Sequence, residues 1–371
     1  MIRNIIWLGA IFDDETVLNH ENISPAGNKW QKQLIESMQE NSCSVNCLGH
    51  LPERIFPYGK LFISKKKGGK LFGNNGISYI NLPFIRNVII NISIFLEFIV
   101  LRKNYRNLNY IISYNIYDYN CVAAFLIKYF FKLQWIILIA DPKNDKTEDL
   151  HSFTKYGDKF VYLSWMLFKK SPLKNKLHLD GGINEVVKSN SIEQTEKYIL
   201  YSGKIAEHTG VHFLIDSFNK ISNPNYKLYI TGKGSSKYLD NAAKLNPNIL
   251  NKGFLNEHEL SVYSQNASIL INPRLISHET NISNFPSKIL EYLSYTRPII
   301  STKTLGISPE YDRVINFIHS DSQEELKNKI IEIMNWSEEQ RLCNLKLMKE
   351  FNKIRSWDYQ SKKLIHFIDA I

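Results

Sequence analysis

Asn284-Phe285-Pro286-Ser287-Lys288-Ile289-Leu290-Glu291-Tyr292-Leu293 is the stretch from which the fold reads outward. Pro286 suits the first position of a helix, where its missing N–H would be unpaired in any case. Ile289, Leu290 and Leu293 then supply an apolar stripe at helical spacing. Lys288 falls in the first turn, where the helix dipole disfavours a cation unless an anion binds between it and the free N–H groups. One turn on, the Glu291 carboxylate can accept hydrogen bonds from neutral hydroxyls such as those of a ribose. The pair can grip a nucleotide diphosphate; it fits equally a surface ion pair at i,i+3 spacing, worth a few tenths of a kcal/mol.

The neighbouring residues extend the pattern. After the helix come Thr296-Arg297-Pro298 and the strand-like Ile299-Ile300-Ser301-Thr302; before it, residues 268–274 read as a buried strand ending in Asn272-Pro273-Arg274. This is one helix–strand step of a parallel α/β sheet, and in such sheets ligands bind beyond the carboxyl ends of the strands. Arg274 and Lys288 would face one pocket. The same style recurs upstream. Residues 197–203 form a strand into a glycine turn at Gly203-Lys204, residues 212–222 have helical periodicity, and residues 226–231 run into Gly232-Lys233-Gly234. Neither glycine turn has the spacing of a P-loop or a dinucleotide fingerprint. Together with Arg274 and Lys288 they give one domain four strand-end loops carrying glycines or cations.

In the first half, strands are expected near residues 4–9, 44–48, 110–113, 135–140 and 159–163, with a helix from about Asn28 to Glu40. Strands alternating with helices at this spacing predict a second parallel sheet covered on both faces. A chain of 371 residues exceeds what one core usually organises. The expected division is 1–188, 189–350 and a closing helix at 351–371 that contains Trp357. Hydrophobic content of 44% and aromatic content of 12% are globular values.

A net charge of +10 points to an anionic partner: phosphorylated ligands, acidic lipid or nucleic acid. With no arginine-rich arm, RNA-binding aromatic motif or zinc spacing, nucleic acid is set aside. Cys43, Cys47, Cys121 and Cys343 are too sparse for a disulfide framework, which suits a reducing compartment. The opening residues lack a secretory signal, and the expected location is cytoplasmic. The most membrane-like stretch, residues 82–101, is interrupted by Arg86, Asn87, Asn91 and Glu97, so a buried or interfacial helix is expected there. Ahead of it, Lys65-Lys66-Lys67-Gly68-Gly69-Lys70 is either a solvated loop or a contact with an anionic membrane surface.

Gly203-Lys204 with Gly210, Gly232-Lys233-Gly234, Gly253-Phe254, Asn272-Pro273-Arg274 and Phe285-Pro286-Ser287-Lys288 leading to Glu291 together resemble glycosyltransferase family 4 of the GT-B enzymes. The Phe-Pro-Ser-Lys stretch is similar to a bacterial subgroup that builds cell-surface polysaccharides such as capsule or O-antigen. The first half is similar only through residues 24–30 and Ile139-Ala140-Asp141. The resemblance implies two Rossmann-like, doubly wound domains facing across a cleft, and a retaining, metal-independent transferase with a nucleotide sugar as donor, UDP-sugar preferred, and no further cofactor. The acceptor would be a glycan or a polyprenyl-linked glycan at the inner membrane.

By that resemblance Lys204, Lys288 and Glu291 carry the chemistry, and Gly203, Gly232, Gly234, Phe254, Arg274, Phe285, Pro286 and Ser287 bind the donor. Read from the residues themselves, the candidates for the acceptor side or the cleft are Gly27 after the first strand, Asp141 at another strand end, and Glu279, whose carboxylate could reach the sugar from four residues before Ser283. The family commonly has a glutamate where Ser283 stands, an arginine at Lys204 and a lysine at Thr209. Those departures keep open a non-catalytic homologue that binds nucleotide sugar or a partner enzyme as an assembly subunit.

Overall fold

The computed structural model describes residues 2–65, 75–105, 107–140, 151–184 and 196–370. Two compact units emerge: residues 1–163, 167–182 and 357–371 form one, and residues 164–166 and 183–356 form the other.

The first unit runs β1 (Arg3–Leu8), α1 (Asp14–Leu18), α2 (Pro25–Glu40), β2 (Cys43–His50), β3 (Phe62–Ile63), β4 (Asn75–Ile77), β5 (Tyr79–Ile80), α3 (Arg86–Asn104), β6 (Leu108–Tyr114), α4 (Cys121–Phe131), β7 (Gln134–Ile139) and β8 (Lys159–Tyr162). The chain continues through α5 (Trp165–Lys170) to β9 (Lys176–His178). Seven strands pair in the order β4-β2-β1-β6-β7-β8-β9, every pair parallel. β3 and β5 form a separate antiparallel ribbon. The strands read as continuous apolar runs because both faces are covered: Ile5, Ile6 and Trp7 are wholly buried. α2 starts three residues earlier than its apolar periodicity suggests. Ser24 caps it by accepting from the Gly27 N–H at 3.2 Å, and Pro25 occupies the first turn.

The second unit runs β10 (Lys197–Ser202), α6 (Val211–Asn219), β11 (Tyr226–Thr231), α7 (Lys237–Leu245), β12 (Ile249–Gly253), α8 (Glu257–Asn266), β13 (Ile269–Asn272), α9 (Glu279–Ile282), α10 (Lys288–Ser294), β14 (Ile299–Thr302), β15 (Asn316–Ile318), α11 (Gln323–Met334) and α12 (Glu338–Arg355). Its six strands, all parallel, lie in the order β12-β11-β10-β13-β14-β15. One apolar cluster on Leu214, Leu228 and Ile330 and another on Leu270, Leu293 and Phe351 complete its core.

Residues 351–371 do not form one helix. Extended backbone at Ser356 ends α12, and α13 (Trp357–Asp369) starts afresh and belongs to the first unit. There the Trp357 ring meets Trp30 edge-on at 5.7 Å, and Leu364 and Ile368 join the core of the first sheet.

Candidate active site

In the second unit the sheet reverses between β10 and β13, since the chain lays β11 and β12 on one side of β10 and then returns to place β13 on the other. The loops beyond these strand ends therefore flank the crevice where open α/β sheets bind ligands.

The loops after β10 and β11 lie backbone against backbone. Ile205 N–H donates to the Lys233 carbonyl at 2.9 Å, and Gly203 N–H donates to the Thr231 carbonyl at 3.0 Å. Gly232 holds φ +147°, and a Cβ on it would come within 1.6 Å of the Gly203 oxygen, so only glycine fits. Gly210, at φ +80°, brings the same stretch against the loop after β13, where a Cβ would meet the Pro273 oxygen at 1.7 Å. Gly210 and Gly232 thus let three strand ends close up.

That packing sets the cations in place. The Lys204 carbonyl accepts from the Tyr201 hydroxyl at 2.7 Å and from Thr209 Oγ1 at 2.9 Å. Its backbone is fixed while the side chain stands exposed, with no ion-pair partner among the described residues. Arg274 is half-buried and donates to Asn281 Oδ1 at 3.4 Å. Burial pushes its pKa down, against a smaller upward pull from Tyr201. A guanidinium does not deprotonate in a protein, so this shift expresses the cost of burying a charge that has no counter-ion among the described residues, which a bound anion would relieve.

Two histidines complete the cluster. The rings of His208 and His278 lie 5.7 Å apart, and the His208 pKa is lowered by burial first and then by Lys204, His278 and Arg274. Asn281, buried, ties the loops together by donating to the carbonyls of His208 and Leu275, both at 2.9 Å. The sequence reading singled out none of these three residues. Isolated histidines and asparagines carry no spacing signal; what places them is their position on the loops that hold Lys204 and Arg274.

The regular part of α10 begins at Lys288, two residues later than expected. The turn before it is closed by shorter bonds, Ile289 N–H to the Pro286 carbonyl at 3.0 Å and Leu290 N–H to the Ser287 carbonyl at 3.1 Å. Lys288 Nζ lies 2.7 Å from Glu291 Oε2, so each neutralises the other. Both are partly exposed, and such a pair is worth only ~0.3–0.5 kcal/mol, little enough for a phosphate to displace the carboxylate. The helix is moored by Tyr292, whose buried hydroxyl accepts from Ser202 N–H at 3.0 Å and lies 3.3 Å from the carbonyls of Ser202 and Ile271, at the ends of β10 and β13.

The remaining candidates are placed as follows. Lys233 lies over the exposed Phe254 ring at 5.2 Å, beside Gly234. Phe285 packs on Tyr311 at 5.7 Å, Pro286 is buried and Ser287 exposed. Glu279 is exposed at the start of α9, while Ser283 is buried. Asp141 lies outside the described residues. Among those described, no three His, Cys, Asp or Glu side chains gather as a metal site.

The first unit carries a cavity of its own at the matching reversal, between β1 and β6. It measures about 220 Å³, and Gly27, Asn28, Gln31, His50, Tyr117 and Tyr119 are among its lining residues. Among the described residues, no Lys, Arg, Asp or Glu lines it. Buried amides hold its rim. Asn28 exchanges two hydrogen bonds with the Phe12 backbone at 2.8 and 3.1 Å, and Gln31 accepts from Trp7 Nε1 at 3.0 Å. His50 is buried edge-on to Tyr119 at 4.4 Å, and burial, aided by Arg86, lowers its pKa to about 4. It is neutral at pH 7. Of the pocket residues, Gly27 alone was a sequence candidate.

Residues 183–345 match the family model described as Glycosyl transferases group 1. An uncharacterized glycosyltransferase of Methanocaldococcus jannaschii is 26% identical over 219 residues, 58% of this chain and 50% of that protein, so the match spans half the length of that curated relative. Among solved structures, a glycosyltransferase of Rickettsia africae superposes with TM-score 0.71 at 12% identity, covering 100% of both chains. Sucrose-phosphate synthase of Thermosynechococcus elongatus gives 0.70 at 13%, covering 99% of this chain and 98% of that one. Anabaena HepE, solved in complex with UDP and glucose, gives 0.66 at 10%, covering 100% of both. At these identities the likeness shows the fold, GT-B, with two Rossmann-like α/β domains.

Proposed function

We propose that the chain is a retaining, metal-independent glycosyltransferase that moves a sugar from a UDP-sugar to a glycan or polyprenyl-linked acceptor in bacterial cell-surface polysaccharide synthesis, working at the cytoplasmic face of the membrane. The observation that carries this reading is the pair Lys204 and Arg274 at the strand ends of the second unit, without ion-pair partners among the described residues and next to a helix whose first turn holds Lys288. Transfer breaks the bond between the anomeric carbon and the donor phosphate, and the electron pair leaves on UDP. The acceptor oxygen forms the new bond from the same face, and its proton departs with the diphosphate. The negative charge that builds on the leaving group is what preorganised cations and N–H groups stabilise. Lys204, Arg274 and Lys288 supply that field here, and Glu291, released from Lys288, accepts from the ribose hydroxyls. Phe254 offers its exposed face to the base.

The match of residues 183–345 to a glycosyl transferase family and the UDP held by a structural neighbour both favour this reading. A second reading, a homologue that binds donor without transfer, is favoured by buried Ser283, which carries no carboxylate, and by the Thr209 hydroxyl being engaged with backbone.

The experiment is a thermal-shift screen against UDP-, GDP- and dTDP-sugars with Lys288→Ala and Glu291→Ala alongside, followed by donor hydrolysis without acceptor. Stabilisation by UDP-sugar that both variants lose, together with hydrolysis by the wild type, is the expected result. Stabilisation without hydrolysis turns the assignment to the binding homologue, and no shift with any nucleotide removes both.

A further inference from the structure

Helix α3 is apolar on two opposite faces. Ile90, Ile94, Phe98 and Leu101 are buried. On the other side Val88, Ile92, Leu96 and Val100, one turn apart, are each 53–57% exposed. A surface helix of a soluble protein ordinarily turns polar residues outward, and a contiguous exposed apolar patch marks a contact surface. Two of the polar residues of this helix, Asn91 and Ser93, are tied to the protein instead. Asn91 is buried, donates to the carbonyls of Asn87 and Asp118 at 2.8 Å, and accepts from Ala123 N–H at 2.8 Å; Ser93 donates to the Ser78 carbonyl at 3.2 Å. The stripe continues past the start of the helix. Phe84 is 99% exposed, and on the ribbon against which α3 packs, Phe62 and Ile80 are opposed and both exposed.

Charge identifies the occupant. Residues 54–106 hold ten Lys and Arg against one carboxylate, Glu97, and so contain all but one of the chain's ten net positive charges. Lys60 and Lys65 are exposed beside the ribbon, Lys103 is exposed in the last turn of α3, and Arg102 lies over the Phe131 ring at 4.3 Å. Lys66, Lys67 and Lys70 lie outside the described residues. A second copy of the chain would bring this positive field against itself, whereas an anionic bilayer surface complements both the charge and the apolar stripe. α3 is 19 residues long, about 28 Å, and no described helix is long and apolar enough to cross a membrane. We propose that α3 and the β3–β5 ribbon lie in the interface of an anionic lipid membrane, with Val88, Ile92, Leu96 and Val100 among the acyl chains and the lysines among the headgroups. This gives a location to the membrane contact in the transferase reading, and only its use, presenting the enzyme to a lipid-linked acceptor, rests on that reading.

Flotation of the full chain with phosphatidylglycerol-containing vesicles, without nucleotide sugar, tests it. The wild type should float with these vesicles and not with phosphatidylcholine alone. Ile92→Glu with Leu96→Glu should cut the floated fraction about tenfold, and Lys60→Ser with Lys103→Ser should cut it several-fold, at unchanged melting temperature and unchanged hydrolysis of UDP-sugar in solution. A wild type that stays at the bottom of the gradient, or an Ile92→Glu/Leu96→Glu variant that floats equally well, overturns the proposal. So does a wild-type dimer that fails to float and that the glutamates dissociate, which would assign the face to a second copy. Loss of hydrolysis with flotation intact would remove the transferase reading and leave the surface standing.

Discussion

At the reversal of the first sheet, between β1 and β6, the described residues that line the cavity include amides, hydroxyls and aromatic rings and no formal charge, and even its histidine is held neutral. At the reversal of the second, between β10 and β13, Lys204 and Arg274 stand without counter-ions among the described residues, beside two histidines and a lysine–glutamate pair. The topologies match and the chemistries are opposed. A sheet reversal supplies the crevice, and the side chains at the strand ends set the charge it presents. The difference also bears on what each site costs the fold: the second holds a partly buried guanidinium whose charged form burial disfavours, whereas buried amides at the first are hydrogen-bonded.

The largest effect should come from removing that unrelieved charge. Arg274→Ala is expected to lower kcat/KM about 10²- to 10³-fold, the usual loss on deleting one preorganised stabiliser of a leaving group, and to leave the melting temperature level or raised. Arg274→Lys should recover only part, because it keeps the charge and loses the planar fork. Equal activity in Arg274→Ala would break the comparison, since the second site would then not depend on its cations.

His50 tests the neutrality of the first site. Its folded pKa of about 4 lies below the unfolded value of 6.5, so as pH falls from 6.5 the unfolded chain takes up a proton that the folded chain refuses. Stability from this group is complete above pH 6.5 and is lost progressively towards pH 4, by about 3 kcal/mol in all. Urea melts from pH 7 down to pH 4 on wild type and His50→Gln should diverge by that amount, with the variant flatter. Parallel curves would mean that His50 is solvated and the cavity wet.

Much of this arrangement is legible in the sequence, for a physical reason. Buried parallel strands are apolar runs of four to eight residues, and residues 269–272 and 299–302 could be little else. Lys288 and Glu291 stood out because a cation in a first turn is locally unfavourable. What was not legible depends on contacts between residues distant in the chain. Asn281 becomes a staple only when the loops after β10 and β13 meet, and the cavity around His50 needs β1, β2, α2 and β6 together. α3 shows the limit from another side. Its periodicity announces a helix with apolar residues all round; packing buries one apolar face and leaves the other exposed.

A smaller perturbation enters the first site through Asn28. As Asn28→Asp the side chain keeps its acceptor for Phe12 N–H and loses the donor to the Phe12 carbonyl, placing a carboxylate in a cavity whose described lining carries no Lys, Arg, Asp or Glu. A loss of about 1–3 kcal/mol is expected at pH 7, shrinking as the carboxyl protonates in acid. Denaturant melts at two pH values read it directly, and a pH-independent loss would show that the missing donor outweighs the charge.

The smallest effect sharpens the comparison most, because it separates the cations from the scaffold that aims them. Tyr292 touches no proposed ligand; its hydroxyl bridges the ends of β10 and β13 one residue after Glu291. Tyr292→Phe keeps the ring in the core and leaves Ser202 N–H without its hydroxyl partner, which should cost about 1 kcal/mol in stability. If α10 is aimed by that bridge, the UDP-dependent thermal shift should shrink by more than the apo melting temperature falls, since Lys288 and Glu291 would be presented less uniformly to the diphosphate and ribose. The paired control is Tyr79, which anchors the first unit by donating to the Leu51 carbonyl at 2.7 Å. Tyr79→Phe should lower stability by a similar amount and leave the UDP-dependent shift intact. Equal losses of nucleotide response in the two variants would mean that the response follows overall stability, and that α10 is held by its apolar face alone.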